Sequence, residues 1–353
     1  MIDARVRKRG PNGFELDVHW KSESKSIALL GPSGAGKTLL LECLSGFVRP
    51  DEGRVAIGDD VVFDGAGRIF VPPEKRAVAY VPSQDSLLDH LTVRENLALA
   101  VASGGRLEKR RKVDVMLDEA GLARYAARRP AALTRGERLR ASVARALLAS
   151  PRVLVIDEPE RGLDAALCEE LRAAVDAASE GRNVQVVLAG RDPEAWLELA
   201  TEAVILHHGK LLRHGAADDL LDEPLSPDVA RLLGRHSIME AEIMAIDPAR
   251  KLSRLRCGAD AENAFEIVAP YFPGLMKGAH VQIALRTDRV TAATRGEDGI
   301  PRTLDHAVEG LKSVALHFDG GVVAEITRRE WEPHKHNKSW MVTVPPEAVR
   351  LLR

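Results

Sequence analysis

Residues 26–44 constrain the fold of this chain more than any other stretch. They read SIALLGPSGAGKTLLLECL. A short apolar run leads into a glycine-rich loop, and a helix-like run of leucines follows. The spacing G-x-x-x-x-G-K-[ST] from Gly31 to Thr38 is that of a loop that binds phosphate between a strand and a helix. The stretch therefore predicts an α/β chain with a phosphate-binding loop between a strand and a helix.

Each residue type in the loop has a mechanical role in binding phosphate. The glycines allow positive φ and close approach, so that backbone N–H groups and the helix N-terminus point at the phosphates. Lys37 supplies a cation to the β- and γ-phosphates of a nucleotide, and the Thr38 hydroxyl can hold Mg²⁺. The predicted nucleotide-binding residues of this stretch are Gly31, Pro32, Ser33, Gly34, Ala35, Gly36, Lys37, Thr38 and Leu39.

A second buried run, VLVIDEP at 153–159, ends in two carboxylates. A fully apolar run is typical of a central parallel strand. We expect Asp157 to reach the metal held by Thr38, and Glu158 to polarise a water molecule for attack on the γ-phosphate. Acidic pairs at strand ends also occur as ordinary turn starters. Their position downstream of a phosphate loop favours the catalytic interpretation.

Two further residues are candidates for the same site. The run 78–81 predicts a strand, and Gln84 follows its carboxyl end, where open α/β sheets bind their ligands. Residues 14–20 alternate apolar and polar side chains and predict a half-buried strand. Phe14 in that strand is a candidate for stacking on the nucleotide base. The alternative is that Phe14 and Trp20 are both simply core residues.

The length of 353 residues predicts two domains. The first, 1–234, contains short β-like pieces at 53–71 that suggest hairpins. It also contains a helical block at about 86–149. A segment with two prolines at 222–227 is typical of a domain exit. From 235 to 353 short β-like runs separated by turns predict a small all-β, barrel-like domain. The runs are 240–246, 251–256, 281–285, 314–318, 322–327 and 339–344.

The charge balance of the chain limits the kinds of molecule that it can bind. A formal net charge of −2 gives no electrostatic footprint for nucleic acid, so no nucleic-acid partner is expected. The three cysteines are far apart and lack metal-site spacing, as expected for reduced thiols in the cytoplasm.

The N-terminus lacks the apolar core of a signal peptide, and no uncharged apolar run approaches the roughly 20 residues of a membrane helix. Any membrane role must therefore come through a partner.

The order of these motifs resembles the ATP-binding subunit of ABC transporters, and within that family the molybdate-type importer ATPases. Residues 31–38 match the Walker A motif, and Asp157 with Glu158 match the Walker B aspartate and the catalytic glutamate. Gln84 falls where the Q-loop glutamine sits, which implies a role in catalysis and as a metal ligand. The sequence LTRGE at 133–137 resembles the signature loop, usually LSGGQ, with Thr134 and Gly136 at its nucleotide-binding positions.

The resemblance extends over nearly the whole chain. It implies a P-loop NTPase fold for the first domain, with a RecA-like core and with antiparallel β and helical subdomains. Leu163-Asp164 match the D-loop. Two segments look like the importer branch of the family, PEKR at 73–76 and HLTVREN at 90–96. In the second domain, LRTDRV at 285–290 is similar to the strand that opens the oxyanion-binding (TOBE-like) fold of importer ATPases. The family resemblance implies a homodimer that closes head to tail around two ATP molecules, with Mg²⁺ as a cofactor. It also implies membrane permease subunits, a solute-binding protein, and a position on the inner face of the cell membrane.

Several positions depart from the family pattern. Arg135 replaces the first signature glycine, Glu137 replaces its glutamine, and Arg161 stands where the D-loop usually has serine. Arg191 stands where the switch histidine is usual. It could contact the γ-phosphate as a cation, but guanidinium cannot act as a neutral hydrogen-bond relay. These changes affect the expected catalytic rate more than nucleotide binding.

Thr134 and Glu137 also have the spacing of a capping box for a helix over 138–149, which explains them without any ligand. The function implied by the resemblance is ATP hydrolysis that energises import of molybdate or a related oxyanion. The alternatives are an importer ATPase for sulfate, iron or polyamine, and a slow-turnover nucleotide-dependent clamp or regulator.

Overall fold

The computed structural model describes residues 1–83, 86–158, 173, 183–190, 193–197, 200–258, 264–294, 299–310 and 313–352. Gln84, Arg191, Arg161 and the Leu163-Asp164 pair lie outside the described residues. The chain divides into two compact units, Met1–Ala217 and Asp218–Arg353. The sequence places the boundary later, after residue 234.

The first unit is built on one mixed sheet. Its strands are β1 (Ile2–Arg9), β2 (Glu15–Ser22), β3 (Ser26–Leu30), β4 (Glu52–Ile57), β5 (Asp60–Asp64), β6 (Ile69–Phe70), β7 (Val78–Val81), β8 (Val153–Asp157), β9 (Gln185–Gly190), β10 (Glu202–His207) and β11 (Lys210–Ala216). Their spatial order is β6-β5-β4-β1-β2-β11-β10-β3-β9-β8-β7. The predicted α/β class and the predicted strand at 78–81 are confirmed.

Five neighbouring strands of this sheet, β10, β3, β9, β8 and β7, run parallel. Every residue of β3, β8 and β9 is buried, as their continuous apolar sequences require. Because these strands are parallel, the loops after β3 and β8 emerge at the same edge of the sheet. This brings residues from 31 onward close to residues 157 and 158.

On the other side of the sheet, neighbouring strands from β2 to β6 pair antiparallel. Strand β11 joins the two parts, since it pairs antiparallel with β10 and parallel with β2. The short pieces at 53–71 form β4, β5 and β6, which confirms the predicted hairpins. Strand β2 alternates exposed and buried residues along its whole length, which confirms the predicted half-buried strand. Trp20 is fully buried, and its Nε1 donates to Glu202 Oε1 at 3.1 Å, so this residue belongs to the core.

The helices of the first unit are α1 (Lys37–Ser45), α2 (Val93–Ala98), α3 (Arg106–Glu119), α4 (Arg135–Leu148) and α5 (Pro193–Leu197). Helices α2, α3 and α4 pack on one another, as the helical block predicts, and bury Val113, Met116 and Leu117. Helix α4 begins three residues before the predicted start because Thr134 is its N-cap.

A buried arginine supports helix α1 from its carboxyl end. The guanidinium of Arg76 donates to the carbonyls of Val71 (2.6 Å), Cys43 (2.8 Å) and Leu44 (2.9 Å). The last two belong to α1, where carbonyls lack helical partners and the helix dipole favours a cation. The loop-to-helix segment that begins at Gly31 is therefore anchored at its far end.

Replacing Arg76 with methionine should lower the free energy of unfolding by about 3 kcal/mol, because three buried carbonyls lose a charged donor. Arg49→Met is a matched control, since the exposed Arg49 also lies over the ring of Phe70, at 5.5 Å. The control should cost less than about 1 kcal/mol. Urea unfolding of both variants measures the difference, and equal losses would contradict the assignment.

The second unit contains two five-stranded antiparallel sheets. The strands are β12 (His236–Asp247), β13 (Leu252–Cys257), β14 (Phe265–Pro270), β15 (His280–Arg286), β16 (Thr291–Ala293), β17 (Ile300–Glu309), β18 (Ser313–Phe318), β19 (Val323–Thr327), β20 (Ser339–Thr343) and β21 (Val349–Leu351). Their orders are β14-β13-β12-β15-β21 and β16-β20-β17-β18-β19. The helices are α6 (Ala217–Asp222), α7 (Pro227–Leu233) and α8 (Arg328–Trp331).

Both sheets of the second unit contribute to one apolar cluster, which includes Ile283 and Leu255 from the first sheet and Leu316 and Trp340 from the second. This confirms the predicted all-β, barrel-like domain. Six of its strands correspond to runs expected from the sequence. Strands β14, β16, β17 and β21 were missed, since their segments lack clear alternation or are very short.

His236 is a titratable group at the start of β12. Its Nε2 lies 2.8 Å from the Leu221 carbonyl oxygen. The pKa of His236 is lowered to about 4, mainly by burial and also by the nearby Arg286 and Arg350, while Leu221 and Asp288 oppose the change. The imidazole is therefore neutral near pH 7.

Because the pKa of His236 in the folded protein is below the usual value of about 6.5, the unfolded chain binds this proton first as the pH falls. Stability of the second unit should drop as the pH goes from 6.5 to 4, by up to about 3 kcal/mol for this group. Hydrogen exchange of β12 amides measures the drop. His236→Gln should reduce this pH dependence, whereas His280→Gln, at an exposed position on β15, should leave it unchanged.

Among the described residues, none of the helices combines the length and apolarity needed to cross a bilayer.

Candidate functional site

The loop after β3 packs closely against neighbouring backbone. Gly31 has a φ of +155°, and a Cβ there would lie 2.4 Å from the Leu206 carbonyl oxygen. Gly36 has a φ of +101°, and its Cβ would lie 2.9 Å from Leu16 Cδ1. At Gly34 a Cβ would meet nothing within 4 Å. The loop is thus fixed on its inner side and open at Gly34, as a cradle for a ligand requires.

Lys37 is the first residue of α1 and is 4% exposed. Its ammonium donates to the carbonyls of Gly31 at 2.7 Å and Pro32 at 3.1 Å, and lies 3.5 Å from Glu158 Oε1. The cation is therefore held at the centre of the loop. A charge buried in this way interacts more strongly with phosphate than one in water would.

The carboxylate of Asp157, at the end of β8, accepts two hydrogen bonds on one oxygen. Thr38 Oγ1 donates to Asp157 Oδ2 at 2.8 Å, and the Tyr80 hydroxyl donates to the same oxygen at 3.0 Å. Burial raises the pKa of Asp157, and both hydrogen bonds oppose that rise. The predicted pair Thr38 and Asp157 is therefore in direct contact, although 119 positions separate the two residues.

Glu158 follows immediately in an uncommon backbone conformation. Its φ is +41°, and its N–H donates to the Ala189 carbonyl on β9 at 2.8 Å. Non-glycine residues in the left-handed region carry strain and concentrate at functional sites. The conformation turns the chain at the strand end and leaves the Glu158 carboxylate beside the Lys37 ammonium.

Phe14 lies beside the same loop. A Cβ on Gly36 would be 3.0 Å from Phe14 Cζ, and one on Gly209 would be 3.2 Å from it. Gly209 N donates to the Ala35 carbonyl at 3.0 Å, so the turn after β10 is fastened to the loop. Phe14 is half-buried, in contrast to Trp20, so its ring remains partly available next to the start of α1.

The comparisons with known proteins agree with this geometry. The ABC transporter family profile matches residues 17–161. The molybdenum import ATP-binding protein ModC of Brucella suis biovar 1 is 32% identical over 340 residues, which cover 93% of this chain and 92% of the relative. ModC of Rhodospirillum rubrum is 34% identical over 70% of this chain and 66% of the relative.

This chain belongs to the ABC transporter ATP-binding family. Solved structures agree on the fold. A dimeric ATP-binding cassette bound to ADP and Pi matches with a TM-score of 0.54 and 24% identity, covering 62% of this chain and 99% of that one. CbiO1 of Clostridium perfringens, part of the ABC transporter complex cbiONQ, matches with a TM-score of 0.56 and 19% identity, covering 65% and 92%.

In this ABC protein the signature-like loop lies at the start of α4, which packs on α2, α3 and β7. Thr134 Oγ1 accepts from the Glu137 N–H at 3.3 Å, and Glu137 Oε2 accepts from the Thr134 N–H at 2.8 Å. The predicted capping box is confirmed. The Tyr125 hydroxyl is the main cause of the lowered pKa of Glu137.

The residues of the signature-like loop differ in burial. Gly136 is buried, while Thr134 and Arg135 are exposed. Arg135 is the first residue of α4, and the capping box formed by Thr134 and Glu137 is complete with arginine at this position. The structure thus places Thr134 and Gly136 in the helical part of the unit and the remaining described site residues around the P-loop.

One atom at the site fits a divalent cation. Asp157 Oδ1 is buried and has no hydrogen-bond partner among the described residues, while its Oδ2 is bound by Thr38 and Tyr80. Hydroxyl and carboxylate oxygens are the donor type that Mg²⁺ prefers. The residues present therefore fit Mg²⁺.

The sequence reasoning missed Tyr80 and the turn at Gly209. Tyr80 belongs to the predicted strand 78–81, but nothing in a single strand shows which neighbouring carboxylate a phenol reaches. The contact between Gly209 and the loop depends on β10 lying beside β3, a pairing between segments more than 170 positions apart.

Replacing Phe14 with leucine should raise the Kd for ATP about tenfold, because a base stacked on an aromatic ring loses that contact. Inorganic tripolyphosphate has no base, so its affinity should not change. Competition against a fluorescent nucleotide measures both ligands. Equal weakening of both would show that Phe14 acts only by packing against Gly36.

Proposed function

We propose that this chain is the ATP-hydrolysing subunit of an ABC importer for molybdate. The observation that carries the proposal is the match to ModC proteins along both units, 93% of this chain, together with an intact contact between Thr38 and Asp157. A match limited to the first unit would support an ABC ATPase without indicating a substrate. Here the second unit is included in the alignment.

Mg²⁺ is the cofactor that we assign to the site. Thr38 and Asp157 would hold it, and Gln84, as the sequence predicts, would be a further ligand. When bound there, Mg²⁺ would supply positive charge that offsets the charge of the phosphates. Lys37 and the loop amides bind the same phosphates, so the charge of ATP is met by one buried ammonium and by the N-terminus of α1.

Glu158 is the group that we assign to activating water. Its carboxylate lies at the end of β8 next to Lys37, the residue that binds the terminal phosphates. A carboxylate at this point can accept a proton from, or orient, an attacking water. Arg191, in the position of the usual switch histidine, would contact the γ-phosphate as a cation.

The complete site requires a second copy of the chain. Thr134, through its hydroxyl, and Gly136, through its N–H in the first turn of α4, would cover the γ-phosphate of the opposite subunit. The solved cassette with ADP and Pi is itself a dimer. The helical part of the first unit and Gln84 would transmit closure to permease subunits at the inner face of the membrane, and a solute-binding protein would deliver the anion.

The experiment compares cells that lack the gene, complemented with the wild-type chain or with Glu158→Gln. Uptake of radioactive molybdate should be restored by wild type alone, while uptake of radioactive sulfate should be the same in all strains. Glu158→Gln is the matched control because the amide keeps the size of the side chain but cannot accept the proton.

Hydrolysis by the purified protein separates the importer from a slow clamp. Wild type should release phosphate well above Glu158→Gln, and both should bind Mg·ATP. Phosphate release no greater than in the variant would contradict the transport ATPase and favour a nucleotide-dependent regulator. Loss of sulfate uptake in place of molybdate uptake would contradict the assigned substrate.

A further inference from the structure

Tyr80 is a polar residue of the site to which the proposed mechanism gives no role. It lies on β7, next to β8, with Tyr80 paired to Val155 in the parallel register. Its ring contacts the exposed Phe47 ring at a centroid distance of 5.6 Å and packs against the core of the sheet. The ring is therefore held by packing, and its hydroxyl is directed to Asp157.

The hydrogen bonds from the Tyr80 and Thr38 hydroxyls make the two carboxylate oxygens of Asp157 inequivalent. Both donate to Oδ2, at 3.0 and 2.8 Å, and Oδ1 is buried without a hydrogen-bond partner among the described residues. A carboxylate held by one donor could still rotate about its terminal bond, which has a broad torsional preference. Two donors on one oxygen, from β7 and α1, fix the plane of the group.

From this geometry we infer that Tyr80 is a positioning residue for Mg²⁺, which holds Asp157 with its Oδ1 oxygen free for the metal and its bound waters. Tyr80 does not contact nucleotide or metal. It acts through Asp157, in the way that outer partners orient metal ligands. The inference rests on the proposed function, because it assumes that this site binds Mg²⁺ with ATP.

Tyr80→Phe removes the hydroxyl and keeps the ring that packs on Phe47. Binding of a non-hydrolysable ATP analogue to the full-length protein should weaken about tenfold in Mg²⁺, since a hydrogen bond to a charged group is lost. In EDTA the affinity should be unchanged, because Lys37 and the loop amides remain. The Kd for Mn²⁺ in the presence of the analogue, measured by electron paramagnetic resonance, should rise by a similar factor.

Tyr271→Phe is the matched control, since it removes a phenol hydroxyl from a half-buried tyrosine in the second unit. It should bind Mn²⁺ and the analogue as wild type does. A purely structural role of Tyr80 would lower the thermal midpoint and weaken binding equally in Mg²⁺ and EDTA, and that result would overturn the inference. If wild type itself does not bind the analogue with Mg²⁺, the proposed function fails instead.

Discussion

The hydrogen bond between Thr38 and Asp157 joins the two halves of the nucleotide site. Thr38 starts the helix after β3, and Asp157 ends β8, with β9 between the two strands in the sheet. The two residues that we propose to hold Mg²⁺ therefore come from segments 119 positions apart. Their contact depends on a parallel order, β3-β9-β8, that places three carboxyl ends at one edge. Every chemical role assigned to Lys37 and Glu158 follows from that order.

The loop that carries Thr38 is supported from three sides. The Leu206 carbonyl packs on Gly31, Gly209 bonds to Ala35, and Arg76 binds carbonyls at the far end of α1. Close packing of this kind leaves no room for a side chain at Gly31. Contacts that hold a loop in its binding conformation reduce the conformational entropy lost on binding, so more of the interaction with a ligand appears as affinity.

The signature-like loop has a complete capping box and is also the segment that we propose to cover a nucleotide. Thr134 and Glu137 satisfy the start of α4 through that box, with Glu137 in place of the usual glutamine. The box fixes the backbone around Gly136, whose N–H has the proposed ligand role. The substitution of Arg135 adds a cation at an exposed position. The local structure is thus kept while the charge of the loop changes.

The sequence by itself determined the phosphate loop, the buried strand ending in Asp157-Glu158, the capping box and the two-part α/β and all-β organisation. Each of these depends on local spacing and periodicity, which a single chain displays directly. Only the tertiary structure decided that Tyr80 binds Asp157, that Phe14 lies against Gly36 while Trp20 is core, and that Arg76 caps α1. These contacts join segments distant in sequence, and a side chain's partner across a sheet is set by strand order and packing, which no local pattern encodes.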